Sequence, residues 1–190
     1  MVEQSLADRR VLVGIGGSVA AFKACDVVSA LRQRGGEARV AMTGAATRFV
    51  TPALLRALSG HPVAASLWDE VEAAHGMSHL DLAAWCELQT IVAASADLIA
   101  KLALGLADDA VTATALACRA PMVVAPAMES AMWEHPATQA HCATLVTRGA
   151  RILGPVRGRL ASGREGAGRM VEPGVIVAAI EESLGATAAG

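Results

Sequence analysis

Apolar positions along the chain fall into two alternating kinds of run. Residues 10–14, Arg-Val-Leu-Val-Gly, form a short β-branched stretch ending in glycine, the pattern of a strand buried on both faces. After Gly16-Gly17-Ser18, apolar residues recur at Val19, Phe22, Val27, Val28 and Leu31. That spacing predicts a helix to about Leu31, stopped by Arg34-Gly35-Gly36. Residues 37–42 predict a second strand, and 49–58 a second helix with Pro52 near its start. Further along, 90–94 predicts a strand, 95–106 and 108–118 predict helices, and 121–125 predicts another buried strand. Residues 126–135 read as a loop with a short helix, 136–148 as a helix stopped by Gly149, 150–153 as a last strand and 175–184 as a closing helix.

Strand and helix alternate throughout, which predicts an α/β fold: a doubly wound parallel sheet in three αβα layers, as one domain over 1–190. Two segments stand outside the alternation. Residues 154–169 hold five glycines, four arginines and a proline without any period, and predict a mobile C-terminal flap over about 154–170. The tail, about 185–190, reads as disordered.

Hydrophobic residues make up 54% of the 190, enough for a substantial core. A net charge of −2 with no basic stripe argues against nucleic acid and acidic membrane surfaces as partners. No apolar run reaches the ~18 residues of a membrane span, and the polar start, 1–10, lacks the apolar centre of a secretion signal. Cys25, Cys86, Cys118 and Cys142 are widely spaced with no Cys-x-x-Cys pair, which argues against a metal site or a disulfide framework. The composition predicts a reduced, cytoplasmic protein. Small residues are abundant and aromatics only 3%, so apolar surface is expected to be covered partly by contacts between copies.

Candidate chemistry gathers where strands end. Gly16, Gly17 and Ser18 lie between a strand and a helix, where unpaired N–H groups and the helix dipole suit a phosphate. The alternative is close helix–strand packing with no ligand. The pattern is not Gly-x-Gly-x-x-Gly, since position 19 is Val, which favours a mononucleotide over a dinucleotide. Thr43 and Ser95 also follow strands; each serves equally well as a plain helix cap. His79 could act as a base near neutral pH, or be a surface histidine beside His75. The segment 126–133, with Met128, Met132 and Trp133, suits a planar ring system or a core plug beneath a loop.

Three motifs, in order, resemble the homo-oligomeric flavin-containing cysteine decarboxylases, the family of phosphopantothenoylcysteine decarboxylases and lanthipeptide decarboxylases. Ala94-Ser-Ala-Asp-Leu98 with Ala107-Asp-Asp109 is similar to the family's Pro-Ala-Ser-Ala-Asn-Thr stretch. Residues 126–133 are similar to Pro-x-Met-Asn-x-x-Met-Trp, and Leu160-Ala-Ser-Gly163 with Gly166-Ala-Gly-Arg169 to the substrate clamp. The resemblance implies a flavodoxin-like fold, FMN as cofactor, and a homo-oligomer built of trimers up to a dodecamer, with the crevice between subunits. It implies that Gly16, Gly17, Ser18 and Thr43 hold the FMN phosphate and ribityl chain. Phe49 would lie near the flavin, and Ser95, Ala96, Asp97 and Met128 would frame its ring. It makes His79 the catalytic residue at the substrate thiol, with Glu129, Met132, Ser162, Arg164 and Arg169 on the substrate.

Three positions depart from the family pattern. Asp97 and Glu129 each replace Asn, and Ser162 replaces a flap cysteine. Glu129 would face a substrate carboxylate; two such charges ~4 Å apart repel by roughly 4 kcal/mol at an effective dielectric of ~20. Arg159, Arg164 or Arg169 could supply the compensating charge. The family cysteine donates the proton that reduces an enethiol, and an alcohol is a far weaker acid than a thiol of pKa ~8.5. These departures favour oxidative decarboxylation of a peptide's C-terminal cysteine over decarboxylation of 4′-phosphopantothenoylcysteine. A third reading is a flavin-binding regulatory subunit without catalysis.

Overall fold

The computed structural model describes residues 5–68 and 78–187. Among them six strands form one parallel sheet: β1 (Arg10–Ile15), β2 (Glu37–Met42), β3 (Val63–Ala64), β4 (Leu88–Ala94), β5 (Met122–Pro126) and β6 (Arg151–Ile152). Their order is β3-β2-β1-β4-β5-β6. The sheet is doubly wound, flavodoxin-like, with helices on both faces and a two-residue strand at each edge.

The continuous apolar runs divide by alternation. Val11, Val13 and Ile15 of β1 face a core completed by Val27, Val28 and Leu31 of α1 (Ala24–Gln33) and by Ile176 and Ile180 of α8 (Pro173–Thr187). Leu12 of β1, Ile91 of β4 and Val124 of β5 face the opposite core. That core is closed by Leu98 and Ile99 of α4 (Ala96–Leu104), Val111 of α5 (Ala110–Ala117) and Leu145 of α7 (Pro136–Thr147). A strand buried on both faces needs apolar residues at every position, which is why no polar alternation shows in the sequence.

Several elements differ from the sequence reading. The first helix opens as a 3-10 turn over Val19–Lys23, so its phase is shifted: Ala21 and Ala24 point inward while Val19 and Phe22 stay exposed. The second helix, α2 (Pro52–Ser59), starts after Phe49, with the Thr51 hydroxyl accepting the Leu54 N–H. His79 lies inside a helix that the apolar spacing does not mark, α3 (Ser78–Trp85). The flap is a β-hairpin, not an irregular segment: β7 (Val156–Arg159) pairs antiparallel with β8 (Glu165–Arg169). Period-2 alternation is hidden there because glycines fill the positions that face the rest of the protein. The predicted disordered tail is helical through Thr187; residues 188–190 and His75 lie outside the described residues. No described helix is long and apolar enough to cross a membrane.

The two central strands meet most closely where β1 ends. The Gly16 N–H donates to the Val92 carbonyl at 2.9 Å, and a Cβ on Gly16 would lie 2.4 Å from the Ala93 oxygen. Gly16→Ala is therefore expected to lower unfolding free energy by at least the ~1–3 kcal/mol typical of overpacking. Urea denaturation would measure it; a variant as stable as the parent would contradict this packing.

Candidate active site

The strand order reverses between β1 and β4, so the loops leaving β1, β2, β4 and β5 converge at the carboxyl edge. Hydrogen bonds stitch these loops together: the Thr43 N–H donates to Ile15 O at 3.1 Å, and the Ala127 N–H to Ala94 O at 2.9 Å. Three hydroxyls line the edge as caps. Ser18 accepts from the Ala20 N–H (3.4 Å), Thr43 from Ala46 (3.1 Å) and Ser95 from Leu98 (3.2 Å). The capping role does not compete with ligand binding, because a hydroxyl that accepts a backbone N–H still has its own proton to donate. Among the described residues, no backbone carbonyl takes the N–H groups of Gly17, Ser18, Gly44 or Ala45. Unsatisfied N–H donors beside three free O–H donors form a cradle suited to an anion such as a phosphate.

Ala93, at the end of β4, is fully buried with φ +56°. An L-residue in this left-handed region costs ~1–2 kcal/mol. The β4–β5 register shifts between Ile91 and Ala94, and the Ala93 N–H turns to the Met170 sulfur at 3.3 Å. Such strain clusters at ligand sites.

The second half of the site is the hairpin. It lies on the segment leading into α6 (Ser130–Trp133): Met128 N–H donates to Gly168 O at 3.0 Å. Gly168 has φ +146°, and a Cβ there would sit 2.1 Å from the Met128 oxygen. A Cβ on Gly166 would meet the Ser130 hydroxyl at 2.0 Å. The glycines thus permit backbone contact between flap and α6. Between hairpin and 3-10 turn lies a cleft of about 490 Å³, lined by Ser18, Phe22, Lys23, Met128, Glu129 and Arg159 among others. Two cationic side chains there are tethered: Glu172 bonds Lys23 at 3.0 Å and also pairs with Arg169. Lys23 foremost, with Arg169, holds the Glu172 carboxyl below the usual carboxylate range. Glu129 has no ion-pair partner among the described residues, and its side chain makes no capping bond to α6.

The residues singled out in the sequence divide accordingly. Ser18, Met128, Glu129 and Arg169 line the cleft, as does Arg159. Gly16, Gly17, Thr43, Ser95 and Ala96 sit at the adjoining strand edge, and Phe49 follows the turn after Thr43 with half its surface exposed. Asp97 points outward to Lys101, 3.6 Å away. Met132 is exposed on α6. Ser162 and Arg164 lie on the hairpin's exposed turn, where the Ser162 hydroxyl accepts the Arg164 N–H at 3.4 Å. His79 is not among the residues lining the cleft: α3 packs on α5, and His79 Nδ1 is buried without a hydrogen-bond partner among the described residues. Phe22 and Lys23 were missed as site residues. Read with α-helical spacing, Phe22 looks like core, and only the 3-10 phase turns it toward the cleft.

The sheet order, the anion cradle at the switch point and the covering hairpin define a flavodoxin-like mononucleotide-binding protein. The Flavoprotein family model matches residues 1–185, and the chain belongs to that family. It is 45% identical over 179 residues to the coenzyme A biosynthesis bifunctional protein CoaBC of Vibrio vulnificus, covering 94% of this chain and 44% of the relative. The chain thus spans less than half the length of that relative. Among solved structures it resembles a PPC decarboxylase mutant complexed with pantothenoylaminoethenethiol, with TM-score 0.83 and 30% identity over 91% of this chain and 96% of the other. It also resembles the FMN-dependent cysteine decarboxylase SpaF, with TM-score 0.82 and 34% identity over 96% and 98%.

Because Glu172 has a lowered pKa, its ion pairs persist through neutral pH and are lost as pH falls through that lowered value. Glu172→Gln should mimic this at neutral pH, raising amide hydrogen exchange in residues 156–169 severalfold. Exchange rates equal to the parent's would show that the tether does not hold the hairpin.

Proposed function

We propose that the protein is an FMN-dependent cysteine decarboxylase that oxidises a C-terminal cysteine, releases CO₂ and leaves an enethiol. The reading is carried by Ser162, which stands in the flap turn where a proton-donating thiol is needed for the redox-neutral reaction. A serine hydroxyl is too weak an acid to protonate the enethiolate carbon, so the reaction ends one step earlier.

The residues at the strand edge fit FMN. The donors of Gly17, Ser18, Thr43 and Gly44 would hold the phosphate and ribityl chain, and Ser95, Ala96 and Met128 would flank the ring. When bound, FMN supplies a two-electron oxidation at the thiol-bearing carbon, turning it into an electron sink for decarboxylation. Lys23 and Arg159, on the cleft wall, would bind the substrate carboxylate and offset Glu129. His79 of a neighbouring copy would reach the thiol and take its proton, which accounts for its absence from the cleft of its own chain. The flap would exclude water from the closed site.

A second reading has one observation in its favour: the 45% identity to CoaBC exceeds the 34% to SpaF. On it, the substrate is 4′-phosphopantothenoylcysteine and another acid replaces the flap thiol.

Mass spectrometry separates the two. A cysteine-ending peptide losing about 46 Da (CO₂ and two hydrogens) supports the first reading; loss of about 44 Da from the pantothenoyl substrate supports the second. No mass change in either would leave flavin binding without catalysis. His79→Asn should lower turnover ~10²–10⁴-fold while the protein stays yellow; a colourless variant would refute that role. Glu129→Asn should raise the rate on the pantothenoyl substrate severalfold by removing the ~4 kcal/mol of like-charge repulsion in part.

A further inference from the structure

The amino edge of the sheet, opposite the crevice, holds a pair of thiols that the proposed chemistry does not use. Cys86 lies between α3 and β4, Cys118 directly after α5, and their sulfurs are 3.3 Å apart although 32 residues separate them. Both are free cysteines. A disulfide needs ~2 Å, so the sulfurs have only a little over 1 Å to close. β4 spans seven residues, about 20 Å, which places the pair far from the strand ends that form the crevice.

Each cysteine lines a cleft of its own, although Cys86 is itself buried and Cys118 half-buried. Cys86, with Arg9, Leu80, Glu87 and Arg119, lines one of about 630 Å³. Cys118, with Gln89, Arg119 and Arg148, lines another of about 420 Å³. The Cys118 sulfur accepts the Ala120 N–H at 3.4 Å as well as facing Cys86. These contacts, the Cys86 hydrogen bond foremost, pull the Cys118 thiol down to about 6 and push Cys86 up in return. The two other cysteines differ: burial raises the Cys25 and Cys142 thiols, and neither has a sulfur partner among the described residues.

We propose that Cys86 and Cys118 are a redox-active dithiol, a modification site that a hydroperoxide converts to an intramolecular disulfide. The Cys118 thiolate attacks the peroxide, the O–O bond breaks, and Cys118 becomes a sulfenic acid while hydroxide or alkoxide leaves and is protonated. The Cys86 thiol then attacks the Cys118 sulfur, an S–S bond forms, and the sulfenic oxygen departs as water. The dithiol loses two electrons and two protons, and the peroxide is reduced to water, or to water and alcohol. A small thiol reverses the change by exchange. The bond joins the end of α3 to the end of α5, two helices already packed together, and so fixes the helix that carries His79.

The test uses the flavin-loaded protein treated with a small excess of hydrogen peroxide, then alkylated. The expected result is a loss of about 2 Da, two fewer alkylatable thiols, a peptide joining Cys86 to Cys118, and full reversal by dithiothreitol. Cys118→Ser should abolish the cross-link, and Cys86→Ser should leave Cys118 as a sulfenic acid trapped by dimedone. Four thiols still alkylatable after peroxide, or a disulfide joining any other pair, overturns the proposal. The wild-type peptide map alone decides it if either variant fails to fold.

Discussion

The fold turns on one contact, the approach of the end of β1 to the end of β4. Gly16 can lie against the Ala93 carbonyl only because it lacks a Cβ, and Ala93 can present that carbonyl only from a left-handed conformation. The contact closes the switch point, where two halves of the sheet diverge in direction. It also directs the chain after β1 outward, so that Gly17 and Ser18 offer N–H groups to the crevice. Met170 enters at the same place: its sulfur takes the Ala93 N–H that the shifted β4–β5 register leaves free. Met170 directly follows the flap, so the strained strand end and the hairpin are mechanically joined.

That junction explains the use of glycine in two distant segments. In the first loop, Gly16 and Gly17 admit the Ala93 carbonyl and the Ala45 side chain. In the hairpin, Gly166 and Gly168 admit Ser130 and the Met128 carbonyl. Both sets make room for protein, not directly for a ligand. The cradle follows as a consequence, because backbones packed this closely leave their remaining N–H groups turned to the opening.

Much of this was legible. The buried strands stand out as short β-branched runs, and the helix ends as Gly, Pro and hydroxyl residues, since those signals are local. Polar residues at the carboxyl edge were legible because alternation of strand and helix puts all strand ends on one side. What was hidden depends on non-local geometry. The flap's strands carry glycine where a strand normally carries apolar residues, so nothing in residues 156–169 signals a hairpin. Phe22 was assigned inward because a helical period was assumed where the chain makes a 3-10 turn. Cys86 and Cys118 are neighbours only because α3 packs on α5, and sequence spacing carries no trace of that.

The motifs themselves also need to be divided by what their residues do. Asp109 caps α5, its carboxylate accepting the Thr112 N–H at 2.9 Å while Thr112 answers the Asp109 N–H at 3.1 Å. Asp97 and Asp108 both pair with Lys101, at 3.6 and 2.9 Å, and Asp108 foremost raises the Lys101 pKa. Half of the motif running from 94 to 109 therefore starts helices and fastens α4 to the loop before α5. In the cleft, by contrast, Glu129 and Arg159 are held by no ion pair among the described residues, which leaves both charges open to a ligand.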